Sequence, residues 1–199
     1  DTGGIAKRIV DFTETIVGKV KGGLGVVTVV ACGIFRAISG SAAAALSSIG
    51  PVIMPRLVKS GYSRGFAASL ISSASVLGLL IPPSAVMILY AWIGNQSVLR
   101  SFLATVVPGI ILAILLSIIN LIYMKKKNIE DAETIEVNEE PFFRRFKKTG
   151  VAAIPGLLLP FIVLGGIYGG MMTPTEAAAV SVLYAIPVGF FVYKELNFK

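Results

Sequence analysis

Ile38-Ser39-Gly40-Ser41 and Leu80-Ile81-Pro82-Pro83-Ser84 are the two stretches that decide how this chain folds. Each interrupts a run of apolar residues otherwise suited to a helix in lipid. Hydrocarbon offers no partner to a free N–H or C=O. Irregular backbone at membrane depth is therefore stable only when packed in protein or lining a wet cavity. Two such interruptions in neighbouring segments are the sequence mark of an ion and solute site.

The composition agrees with a lipid environment. The chain is 55% apolar and 15% charged, with mean hydropathy +0.82. A soluble domain does not have that balance. Phe102–Met124 is 23 residues without a charge, and Val151–Thr175 is 25. At ~1.5 Å per residue each exceeds the roughly 30 Å hydrocarbon core. Glu176–Tyr193 is a third candidate, with its only acid at its start. The expected fold class is all-α integral membrane: a re-entrant helical hairpin, a discontinuous transmembrane helix and further spanning helices. The expected segments are an interfacial amphipathic helix over 1–22, the hairpin over 23–55 and the discontinuous helix over 56–97. A spanning helix over 98–127, a cytoplasmic loop over 128–150 and two spanning helices over 151–199 follow.

The N-terminus lacks a Met and a charged-then-apolar leader, so no signal peptide is expected, and Asp1-Thr2-Gly3 reads as the middle of something longer. Cys32 is the single cysteine, so disulfides are not part of the design. No histidine and few acids in the apolar runs argue against a metal site or a histidine-based proton relay. No nucleophile–base pair is evident, so an enzyme is not expected.

The net charge is +7. The basic residues flank apolar segments, which points to a membrane surface and not to nucleic acid. If 23–55 enters and leaves on one face, 16 of the 18 basic residues fall on one side, and only Arg36 and Arg100 lie elsewhere. The positive-inside rule makes that side cytoplasmic. A single crossing by 23–55 would split the clusters, so the charge pattern favours the hairpin.

Ile5, Ile9, Val10, Phe12, Ile16, Val17 and Val20 recur at helical spacing, with Lys7, Arg8, Asp11, Glu14 and Lys19 over the remaining surface. This reads as an amphipathic helix in the interface, or as the frayed end of a spanning one. Asn128–Glu140 is acidic and reads as a solvated loop. Phe142–Lys148 is basic and aromatic and reads as a membrane-surface anchor. Thr173-Pro174-Thr175-Glu176 has the order of a capping box with proline at the first helical position. Glu176 as a cation or proton ligand is the competing reading.

Two short helices meeting at Ser39-Gly40-Ser41 would stop near the bilayer midplane. The N–H groups of the second, beginning near Ser41, would suit an anion. The unpaired carbonyls at the end of the first, with the serine hydroxyls, would suit sodium. Pro82 and Pro83 likewise strand the carbonyls of Gly78, Leu79, Leu80 and Ile81, for which a bound cation is one partner. Serines in such segments also bond back to their own helix. Arg36 lies one turn from the tip. It could attract an acidic substrate, snorkel, or pair with an acid elsewhere.

In this order, Gly22-Gly23-Leu24, Ile38-Ser39-Gly40-Ser41, Gly61-Tyr62, Gly78, Ile81-Pro82-Pro83-Ser84 with Tyr90, Gly165-Gly166-Ile167-Tyr168 and Thr173–Ala179 resemble the large membrane subunit of tripartite ATP-independent periplasmic (TRAP) transporters. The resemblance covers nearly the whole chain and about one of that subunit's two inverted halves. It implies sodium-driven import of organic acids such as sialic acids and C4-dicarboxylates, across the bacterial inner membrane, by an elevator movement. It implies a periplasmic solute-binding protein and a small membrane subunit as partners. It implies a sodium site from Ser39, Ser41, Gly78, Leu80, Ile81 and Pro83, with Ser41 and Ser84 facing substrate. Arg36 stands where the resemblance leads one to expect a small apolar residue, and Ala85-Val86 and Ala91 also depart from it. Two other readings compete: a sodium–dicarboxylate or divalent-anion symporter without a binding protein, and an inactive, truncated membrane scaffold fragment.

Overall fold

The computed structural model describes residues 4–17, 21–126 and 142–193. The acidic stretch Asn128–Glu140, along with Lys19, Val20, Lys127, Lys194 and Lys199, lies outside the described residues. The regular structure described is helical: α1 (Ile5–Val17), α2 (Gly23–Ser39), α3 (Ala42–Lys59), α4 (Arg64–Leu80), α5 (Ala85–Ile93), α6 (Val98–Lys126), α7 (Phe142–Tyr168) and α8 (Pro174–Pro187). A π-helical turn, Val188–Val192, follows. Four stretches are long and apolar enough to cross a membrane: Arg64–Ile93, Val98–Lys126, Phe146–Tyr168 and Pro174–Val192. The chain is an all-α integral membrane protein.

Each helix end has a local cause. Gly40 takes φ +64°, a left-handed value that glycine adopts without Cβ strain, and its N–H closes α2 on the Arg36 carbonyl at 2.8 Å. Ser41 caps α3 by accepting from the Ala44 N–H. Ser63 caps α4 by accepting from Phe66 N–H at 3.3 Å. Pro82 and Pro83 carry no N–H, so α4 stops at Leu80 and the helix restarts only at Ala85. Thr173 and Glu176 complete a reciprocal capping box with Pro174 at the first helical position.

The main core lies where α2, α3 and α4 meet. Ala45, Ile49, Ile53 and Leu57 recur every fourth residue on one stripe of α3. They join Val27, Ala31 and Cys32 of α2 and Ala67, Ile71, Ala74 and Leu77 of α4. Leu112, Ala113 and Leu116 of α6 cover that cluster from outside. A smaller cluster joins Phe102 of α6 to Leu159, Val163 and Ile167 of α7 and Ala177 of α8.

Two segments differ from the sequence reading. Residues 142–150, read as the end of a loop, form the first turns of α7. Phe146, Thr149 and Gly150 share one helical face, and that face packs on α1. The Phe12 and Phe146 rings lie 5.6 Å apart, and the Thr15 and Thr149 hydroxyls 3.4 Å. Tertiary packing, not local propensity, selects the helix. Asp11 and Glu14, expected on the open surface of α1, instead clasp Arg56 of α3 at 2.7 and 2.5 Å. Burial opposes the Arg56 charge, but the two acids outweigh it and hold its pKa above the ordinary arginine value. α3 also runs through Pro51 and Pro55 to Lys59.

One end of the bundle collects the basic residues. Gly22, at the start of α2, sits against Leu121 and Met124 near the end of α6. Ser63 and Tyr123 hydroxyls meet at 3.3 Å. Lys21, Arg64, Lys125 and Lys126 therefore share an end, and the hairpin returns Arg56 and Lys59 of α3 toward it.

Candidate functional site

The hairpin tip and the proline break meet. Gly33 and Arg36 lie on one face of α2, and Gly40 closes its C-terminal end. A Cβ at Gly33 would lie 3.2 Å from the Ile81 side chain, and one at Gly40 would lie 3.6 Å from the Pro83 carbonyl. Between them Arg36 donates through Nη2 to the Gly78 carbonyl. Gly78 admits no side chain, because a Cβ there would overlap the Arg36 side chain.

α6 measures the depth of this junction. Gly109 packs on Leu80 and Ile81, with 3.2 Å from its notional Cβ to the Leu80 Cβ. The charge-free stretch 102–124 has its midpoint at residue 113. Gly109 is four residues away, or ~6 Å along the axis. The break therefore stands near the middle of a spanning helix, where water is scarce and an unpaired carbonyl is costly.

The donors and acceptors of the junction are unevenly satisfied. Proline at 82 and 83 removes the N–H groups that the Gly78 and Leu79 carbonyls would receive in a continuous helix. Arg36 supplies the missing donor to Gly78. Its side chain is 1% exposed, and Nε and Nη1 have no hydrogen-bond partner. Three carboxylates are described, and none compensates it: Asp11 and Glu14 hold Arg56, and Glu176 serves the α8 cap. Burying a cation costs several kcal/mol even after relaxation, whereas a single hydrogen bond to a charged group returns about 1.5–3 kcal/mol. The favourable end of the α2 dipole adds about 1 kcal/mol. The balance leaves a buried guanidinium with two of its three nitrogens unpartnered among the described residues. Ser84 is also 1% exposed with an unpartnered Oγ, and it stands at the N-cap of α5 without making a capping bond.

Of the residues singled out for the ion, Ser39 and Ser41 stand exposed at the tip. Their hydroxyls bond within it: Ser41 N–H donates to Ser39 Oγ at 3.4 Å, and Ser41 Oγ takes the Ala44 N–H. The Gly78 carbonyl is already engaged by Arg36. Leu80, Ile81 and Pro83 lie partly buried around the break. Their carbonyls and the two hydroxyls are hard oxygens, the donor chemistry a sodium ion takes. Of the residues singled out for substrate, Ser84 and Arg36 are buried at the break, and Ser41 lies at the tip.

Sequence reasoning missed the clamp that fixes the base of the hairpin. Asn120 of α6 donates from Nδ2 to the Gly22 carbonyl at 2.8 Å and accepts from the Tyr62 hydroxyl at 3.0 Å. Its amide fills the space beside Gly25. A lone amide in the apolar span 102–124 was the available signal, since such groups bond across membrane helices.

A family model described as "Tripartite ATP-independent periplasmic transporter, DctM component" matches residues 1–199. The chain belongs to this TRAP transporter family. It is a multi-pass protein of the inner membrane. It is 44% identical over 198 residues to the C4-dicarboxylate TRAP transporter large permease protein DctM of Vibrio cholerae, covering 98% of this chain and 42% of that protein. It is 37% identical over 192 residues to the ectoine TRAP transporter large permease protein TeaC of Halomonas elongata, covering 96% and 44%. It is 34% identical over 199 residues to the sialic acid TRAP transporter permease protein SiaT of Haemophilus influenzae, covering 100% and 31%. The chain thus spans less than half the length of these relatives. All three are permeases, a kind of protein that moves solutes and does not transform them.

Proposed function

We propose that this chain is part of the large permease subunit of a sodium-coupled secondary transporter that imports small organic acids and catalyses no reaction. A periplasmic solute-binding protein delivers the substrate, and a small membrane subunit packs alongside. The observation that carries this reading is the docking of the Ser39-Gly40-Ser41 tip on the Pro82-Pro83 break at mid-membrane depth. In the proposal, Ser39, Ser41 and the carbonyls of Leu80, Ile81 and Pro83 hold sodium. Gly78 contributes through its bond to Arg36. Arg36, Ser84 and the tip at Ser41 face a carboxylate, with the first N–H groups of α3, at Ala42 and Ala43, turned to it. The relatives named for C4-dicarboxylate and sialic acid support an acidic substrate. Loaded, the site travels as a rigid elevator past the rest of the assembly.

The test is uptake of labelled succinate or sialic acid into proteoliposomes holding the full-length permease, its small subunit and its binding protein. Replacing sodium by choline should abolish uptake, and omitting the binding protein should do the same. Ser39→Ala and Ser41→Ala should each raise the sodium concentration for half-maximal uptake. Equal uptake in sodium and choline would remove the ion from the proposal. Unchanged sodium activation in both variants would remove the tip from the ion site.

A further inference from the structure

A cavity of about 180 Å³ lies between the start of α1, the end of α2, α7 and the close of α8. Ile5, Ile38, Leu159 and Val188 line it, together with Tyr184 and Tyr193. The sequence leaves it unfilled, because Gly156 and Gly189 bring no side chain and Ala185 only a methyl. Water has little to hold there. The Tyr193 hydroxyl accepts the Gly156 N–H at 2.9 Å, and the Tyr184 hydroxyl donates to the Pro155 carbonyl at 2.9 Å. Both polar tips are spent on the α7 backbone. Apolar cavities of ~150 Å³ stay dry and take hydrocarbon ligands.

Depth and charge say which hydrocarbon. Gly156 lies eight residues past Lys148, the last charge of α7, or ~12 Å along the axis. One leaflet contributes roughly 15 Å of hydrocarbon, so the cavity stands within the leaflet that meets the basic end, the cytoplasmic one by the positive-inside rule. Ala185 is exposed at the rim, so the cavity opens outward, towards lipid. Arg8 holds its guanidinium 4.2 Å from the centre of the Tyr193 ring. Lys7 beside it, and Arg144, Lys147 and Lys148 at the start of α7, are exposed. We propose that the cavity seats one acyl tail of an anionic phospholipid of the cytoplasmic leaflet, with its phosphate drawn to Arg8 and the basic start of α7. The site is separate from the junction of tip and proline break, and the proposal stands whatever ion or solute that junction takes. Ile38 belongs to the cavity wall and immediately precedes Ser39, so a seated tail buttresses the last turn of α2.

The test places the full-length permease in phosphatidylcholine nanodiscs with a trace of lipid carrying a photoreactive diazirine at mid-tail. Three probes are compared: phosphatidylglycerol, phosphatidylcholine with the same tail, and free palmitic acid. Labelled peptides are mapped by mass spectrometry and expressed relative to the mean over the permease. In native protein the peptides holding Leu159 and Val188 should be enriched, and about five-fold more by phosphatidylglycerol than by phosphatidylcholine, the discrimination that one cation gives near the surface. Ala185→Trp, at the exposed rim, should remove that enrichment and leave the mean unchanged. Arg8→Gln should bring the two phospholipids to equal labelling. Labelling of these peptides no higher than the mean would overturn the proposal. Equal labelling of native protein by the two phospholipids would overturn its anionic head, and stronger labelling by palmitic acid would replace the phospholipid with a fatty acid. Those three outcomes are read on native protein and stand even if neither variant folds.

Discussion

The clamp at the base of the hairpin gives a sharp prediction. Asn120 is fully buried and Tyr62 is 3% exposed, so water cannot replace either partner. Asn120→Ala removes the bond to Gly22 and the bond from Tyr62, and it leaves space beside Gly25. Two buried hydrogen bonds at about 1 kcal/mol each, with a small cavity, give an expected loss of about 2–4 kcal/mol. Tyr62→Phe removes only the hydroxyl, which reaches both Asn120 at 3.0 Å and Gly22 at 3.2 Å. Its expected loss is about 1–2 kcal/mol. The double variant isolates the Tyr62–Asn120 bond. Such bonds between membrane helices average ~0.6 kcal/mol and reach ~1.7. Full burial and the shared Gly22 acceptor place this one at about 1 kcal/mol. The assay is equilibrium unfolding of the purified protein by SDS titration, with all four members of the cycle in one lipid–detergent mixture. A coupling energy below about 0.3 kcal/mol would refute the clamp as a unit. So would an Asn120→Ala variant as stable as native.

Four further outcomes are expected. Gly40→Asn should be milder than Gly40→Val, because φ +64° costs a β-branched residue about 1–2 kcal/mol while the nearest obstacle, at 3.6 Å, leaves room for a Cβ; equal losses in SDS titration would argue for crowding instead of strain. Arg56→Ala should speed hydrogen exchange in α1 several-fold by releasing Asp11 and Glu14, and unchanged exchange would show that Phe12 and the α1 core contacts suffice. Because the folded-state pKa of Arg56 is raised, its contribution is complete below the unfolded value and is lost only as pH climbs through the folded one, so α1 exchange, corrected for intrinsic rates, should show no titration of this group between about pH 6 and 9. Thr173→Ala should accelerate exchange at the first turn of α8 and leave α7 unchanged; protection equal to native would mean that Pro174 alone holds that turn.

Local signals carried most of the fold. The Ser-Gly-Ser tip, the proline pair and the Thr-Pro-Thr-Glu quartet each satisfy or strand backbone groups within a few residues, so a sequence displays them directly. Helix α2 ends at Ser39 and α3 begins at Ala42 because glycine and serine dictate it there. The helicity of 142–150 was hidden, since it depends on a face offered by α1 more than a hundred residues earlier. The partner of Arg36 was hidden for the same reason: Gly78 is 42 residues away, and only the folded chain reveals that a proline-stranded carbonyl awaits a donor. The apolar context announced that Arg36 mattered, but it could not choose among attraction, snorkelling and pairing. Asn120 was legible as an oddity and illegible as a clamp.

Helix α5 leaves the junction on different terms from its neighbours. Only Ala91 of its nine residues is buried, and it leans on α6 and, through Met87 and Ile88, on the smaller core cluster. Its contacts run along one face, from Met87 and Ile88 to the fully buried Ala91 near its far end. Trp92, the only tryptophan in this sequence and 75% exposed, follows that buried alanine directly and points away from the packed face. In this stretch of chain a single indole therefore samples whatever covers the outer face of α5, and its emission reads those surroundings and no others.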